Sequence, residues 1–194
     1  AVKGQGTVEE RPDRVVLSFA VEGFDKEYAE SVRVLNERVE SLRKELAAFD
    51  IPREDLKTTS FTVHSRWSRD KEPVFVGFEA SHHLRLTIPM EKQRVDDVFT
   101  AAVRSSADAE LRVHFEASDR EGIQKRVLQA AVADAREKAL VLAAAAERSL
   151  GKILTISHSW SEISFSSMHY SMSACASVDS MVAPDLEPED VTSS

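Results

Sequence analysis

Apolar residues recur along two long stretches of the chain at alternating spacings of four and three, the repeat that lines one face of an α-helix. In residues 25–49 they are Tyr28, Val32, Leu35, Val39, Leu42, Leu46 and Phe49, and Asp25 stands where a cap can begin the helix. In residues 118–151 they are Leu128, Val132, Ala135, Ala139, Leu142, Ala146 and Leu150. Ser118-Asp119-Arg120-Glu121 reads as a capping box that starts this second helix, and Gly151 as the residue that stops it. Its stripe is mostly small side chains, which suits flat packing on a sheet. A helix of about thirty residues is roughly 45 Å long, whereas a strand of about ten is roughly 33 Å. Part of 119–150 is therefore expected to overhang its sheet and to offer a surface to a partner subunit.

Period-two alternation marks the strands. Residues 14–23 place Val15, Leu17, Phe19 and Val21 on one face, and 56–67 place Phe61, Val63, Ser65 and Trp67 likewise. The longest run, 74–88, sets Val74, Val76, Phe78, Ala80, His82, Leu84, Leu86 and Ile88 inward, with Gly77 the natural place for a bulge. Residues 110–116 bury Leu111, Val113 and Phe115, and 152–160 carry Leu154, Ile156, His158 and Trp160 on one face. A shorter helix over 91–104 buries Val95, Val98, Phe99, Ala102 and Val103. At the start, 2–8 reads as a strand that forms a hairpin with 14–23 through the Pro12-Asp13 turn. Gly4 and Gly6 share one face there and point to close backbone packing, because the rest of a phosphate-loop pattern is missing.

These elements make an α+β fold, an antiparallel β-sheet with two long helices and one shorter helix packed on it. Thr62-Val63-His64-Ser65-Arg66-Trp67 and Thr155-Ile156-Ser157-His158-Ser159-Trp160 follow the two long helices in matching places, a sign of internal β-α-β duplication. The whole of 1–194 reads as one domain, with an irregular Ser/Met-rich excursion at 161–183 and an acidic tail at 184–194.

Composition narrows the function classes. The 194 residues are 42% hydrophobic and 30% charged with a net charge of −8, and the basic residues are interleaved with acids. That balance disfavours nucleic acid and anionic membranes, which need clustered cations. No apolar run reaches the length of a membrane span, so membrane insertion is not expected. Cys175 stands alone, which excludes an intrachain disulfide. No signal peptide is visible, so a cytoplasmic location is expected, with export and removal of a signal as the alternative.

Candidate chemistry is sparse. His64, His83 and His114 fall outward on three strands near Glu79 and Glu116, a geometry that could hold a metal if the strands were neighbours. Met168, His169, Met172 and Cys175 form a soft-ligand cluster that would suit Cu(I) or a redox role. Solvent-facing histidines and irregular loop composition explain both groups without a metal. His82 and His158 read as core histidines. Gly-x-Ser-x-Gly, His-Glu-x-x-His and Cys-x-x-Cys are all absent, so no catalytic residue, cofactor or enzyme activity is expected.

Val2-Lys3-Gly4-Gln5-Gly6-Thr7-Val8 with Pro12-Asp13, Asp55-Leu56-Lys57-Thr58, Gly77-Phe78-Glu79-Ala80 and Ala135-Arg136-Glu137-Lys138-Ala139 occur in that order. Together they resemble the SIMPL-domain family, long classed as of unknown function, which includes bacterial periplasmic and outer-membrane-associated immunogenic proteins. The resemblance implies antiparallel strands with helices against them, a tendency to self-assemble, loose association with oxidative-stress defence, and no established catalytic residues. Relatives continue past a segment like 184–190 into a final apolar strand, whereas this chain stops at Ser194. A sheet built to receive that strand would keep an open edge, which either pairs with another copy or is covered by residues 161–181. The expected function is thus a non-enzymatic self-associating or protein-binding module, a homo-oligomer formed through the open edge or the overhang of helix 119–150. A metal-binding or redox-active stress-defence protein is the alternative.

Overall fold

A computed structural model describes residues 1–69, 72–157, 165–166, 169–173 and 191–193. They form β1 (Val8–Glu10), β2 (Arg14–Asp25), α1 (Tyr28–Ala47), β3 (Lys57–Trp67), β4 (Phe75–Pro89), α2 (Lys92–Arg104), β5 (Glu110–Glu116), α3 (Arg120–Ala145), β6 (Phe165–Ser166), β7 (His169–Ser173) and β8 (Val191–Ser193). The α+β class holds. The chain forms two compact units.

The larger unit takes in 14–115 and the described part of 169–187, and its sheet runs β3-β4-β2-β5-β7. β2 and β4 pair antiparallel over their length, from Arg14 opposite Pro89 to Asp25 opposite Phe78. The alternation read from the sequence is the one that folds: Val15, Leu17, Phe19 and Val21 are buried, as are Ala80, Leu84, Leu86 and Ile88 on the same face of β4. α1 crosses this face, packing on β2 and β4 through Leu35, Val39, Leu42 and Leu46, the expected stripe. Gly23 lets it come close, since a Cβ there would lie 2.6 Å from Leu35 N and collide with the Ser31 carbonyl. α2 packs on α1 and β4. The bulge expected at Gly77 is present: Arg66 pairs with Gly77 but Trp67 pairs with Phe75, so Val76 is the extra residue.

The smaller unit takes in 1–13 and the described parts of 116–168 and 188–194, with a sheet ordered β1-β8-β6. Several expectations are corrected here. The strand at 2–8 is not formed; β1 is confined to Val8–Glu10 and pairs with β8, so there is no hairpin with β2. The physical reason is the glycine pair. Gly4 and Gly6 press the extended N-terminal segment onto α3, where a Cβ would collide with the Ala131 and Val127 carbonyl oxygens, and Asp134 accepts the Gln5 amide at 2.7 Å. Backbone laid on a helix in this way has left the sheet.

α3 itself differs from its sequence reading at both ends. Asp119, not Ser118, caps it by accepting the Gly122 amide at 2.9 Å, because Ser118 donates its hydroxyl to Asp13 instead. It stops before Gly151: Glu147 takes the left-handed position at φ 55, and the Glu147→Ala144 and Arg148→Ala143 amide bonds close a Schellman turn. Within the smaller unit its strand contacts are with β1 and β8. Residues 152–157 are not a strand, which removes the described half of the strand on which the duplication rested; 158–160 lie outside the described residues. Within the excursion at 161–183, β6 and β7 are short strands, and the tail at 184–194 contains β8.

Candidate functional site

Surface chemistry in the larger unit begins with its sheet ends. β7, from the excursion that sequence alone leaves irregular, covers the outer edge of β5 from Glu110 opposite Ser173 to His114 opposite His169. At the other end β3 pairs with β4 on one side, and among the described residues no strand takes its outer side. Nearly all of β3 is exposed.

α1 is twenty residues, about 30 Å, and β4 fifteen, about 50 Å. The helix therefore leaves one end of the sheet bare, and the aromatics there stack on one another instead. Tyr28 meets Phe78 edge-on at 5.7 Å, Phe78 meets Phe75 at 5.2 Å and Phe75 meets Trp67 at 5.5 Å. Phe61 packs against the His82 ring at 5.7 Å. Trp67 remains 57% exposed, Phe61 45% and Phe75 40%. Periodicity assigns Phe61, Trp67 and Phe78 to the covered face. The mismatch of helix and strand lengths is the signal in the sequence that they are only partly covered.

The opposite face of β3 and β4 is polar. Arg66 bonds Glu79 at 2.6 Å and lies over the Phe24 ring at 5.8 Å. His64 stands opposite Glu79 and His83 opposite Ser60. The two histidines share a face but are four positions apart along β4, roughly 13 Å. His114 is two strands further across, on β5. Among the described residues no three of His, Cys, Asp and Glu stand close enough to hold a metal ion. Of the soft cluster, His169 and Met172 fall in β7, while Met168 and Cys175 lie outside the described residues.

His82 turns the other way, toward α1. Its Nε2 shares a hydrogen bond of 2.9 Å with Thr58 Oγ1, and its Nδ1 has no hydrogen-bond partner among the described residues. Burial lowers its pKa below the ordinary imidazole value, and the charges of Arg43 and His83 push the same way. His158, the other expected core histidine, lies outside the described residues.

In the smaller unit α3 buries Ile123 and Val127 with Ala117, and Val8 packs against them. The stripe read from the sequence is largely turned outward, with Val132 49% and Leu142 61% exposed. Glu121, Gln124, Lys125, Leu128, Gln129 and Val132, all from this helix, border an open hollow of about 600 Å³. Among the described residues no helix is long and apolar enough to cross a membrane.

The family model that matches is SIMPL, described as "Protein of unknown function (DUF541)", and it covers residues 1–194. No curated protein matches the chain.

Proposed function

The chain belongs to the SIMPL family, whose function is unknown, and from that membership and its exposed apolar surface we propose a non-enzymatic module that self-associates or binds protein. The end of α3 carries the proposal. Residues 139–146 read Ala-Leu-Val-Leu-Ala-Ala-Ala-Ala without a charge. Leu140, Val141 and Leu142 are 49%, 62% and 61% exposed. Three consecutive helical residues span about 200° of the axis, so no single face of a neighbouring element can cover them. Ile153, Leu154 and Ile156 beyond the helix are also exposed. An apolar patch of this kind marks an interaction surface. A link to stress response belongs to the same proposal on the ground of family resemblance alone.

Sedimentation equilibrium over a wide range of concentration tests this reading. The mass should rise with concentration, and Leu142→Glu, at an exposed position, should shift the chain toward monomer while its circular dichroism stays unchanged. A chain that sediments as a monomer at every concentration, wild type and variant alike, overturns self-association.

A further inference from the structure

Resting on the self-association proposed above, we infer that β3 pairs antiparallel with β3 of a second copy about a two-fold axis at Val63. Between the bulge at Thr59 and Arg66 the edge lacks the devices that normally keep a strand from pairing. Between Lys57 and Arg66 the sequence is Thr-Thr-Ser-Phe-Thr-Val-His-Ser, with no proline and no Lys, Arg, Asp or Glu. A bulge falls at Thr59, where the register jumps between Thr58 and Ser60. From Ser60 to Arg66 the ladder on β4 is unbroken, and Val63 is the midpoint of that run.

The occupant is a second copy because the run is complementary to itself. Residues opposite each other across an antiparallel pair share a face, so a dyad must match odd positions with odd and even with even. Centred on Val63, every residue from Ser60 to Arg66 finds a partner. Val63 meets Val63, Phe61 meets Ser65, Thr62 meets His64, and Arg66 meets Ser60. No like charges face each other, and the aromatic rows of both copies fall on the same side of the joined sheet.

The area agrees with a weak pair. Phe61, Trp67 and Phe75 are 45%, 57% and 40% exposed, and an aromatic side chain buries about 150–250 Å², so together they offer about 300 Å² per copy. A standard interface needs about 800 Å² per partner. With one strand edge added, the contact sits at the low end, and its dissociation must show at accessible concentrations.

Ser60, exposed and opposite Arg66 in this register, supplies a test with two signs. In sedimentation equilibrium Ser60→Lys should weaken the pair about tenfold, by setting Lys against Arg twice per dimer. Ser60→Asp should tighten it, and both effects should fade in high salt. Hydrogen exchange of the amides of 60–66 should slow as concentration rises. If the two variants move affinity in the same direction or not at all, or if exchange at 60–66 ignores concentration, the assignment falls. Should Leu142→Glu shift the chain toward monomer while both Ser60 variants leave affinity unchanged, self-association stands and this edge is not its seat.

Discussion

His82 is held in a site that disfavours the charged ring. One nitrogen is satisfied by Thr58, the other has no hydrogen-bond partner among the described residues, and the Arg43 cation adds to the cost of a second positive charge. In the unfolded chain the imidazole takes up its proton near pH 6.5, whereas in the fold its pKa is lowered, first by burial. Between those two values the unfolded state binds more protons. The stability that His82 contributes is therefore full above about pH 6.5 and is lost as pH falls through its folded pKa. Thermal melts taken from about pH 7.5 down to about pH 5 should show a falling Tm that His82→Asn makes shallower. An unchanged slope in that variant would assign the effect to other groups.

At the scale of elements, the contact between α1 and β2 depends on a missing side chain. Gly23 lies under Ser31, which is fully buried, and Leu35, so Gly23→Ala must push the helix outward. Overpacking of this kind costs about 1–3 kcal/mol. Urea unfolding should show that loss as a lower midpoint with an unchanged slope; a midpoint equal to wild type would mean that the helix can shift freely. The same pair of elements shows what was legible in the sequence. Four-three spacing named Leu35, Val39, Leu42 and Leu46, and alternation named Val15, Leu17, Phe19 and Val21, as the two sides of one contact. Identical spacing in α3 failed, because periodicity tells which residues share a face and not what that face meets. There the glycine-bearing segment at Gly4 and Gly6 chooses Val127 and Ala131, one residue and about 100° around from Leu128 and Val132. The place of β3 at the end of its sheet was not legible, because strand order is set by long-range pairing that spacing does not encode.

For the whole molecule, the described residues of the two units form cores of very different size. In the larger unit twenty-four buried hydrophobic residues form one cluster. Among the described residues of the smaller unit, Ala117, Ile123 and Val127 make up the buried cluster, with Val8 against it. Burying a Val or Ile side chain contributes about 1.5–3 kcal/mol, so three residues, one of them alanine, offset little of the entropy of ordering a helix of twenty-six residues. The chain should therefore open in steps. Local openings expose amides at free energies set by the apolar contacts that hold each region, which puts α3 and β1 low and the centres of β2 and β4 high. Native-state hydrogen exchange in rising sub-denaturing urea reads this directly. Amides of α3 should exchange at a free energy well below that of Leu17 and Leu84, and Ile123→Ala should lower the first without moving the second. If α3 exchanges only together with β2 and β4, its three-residue core is not what sets its stability, and apolar burial elsewhere along the helix must hold it.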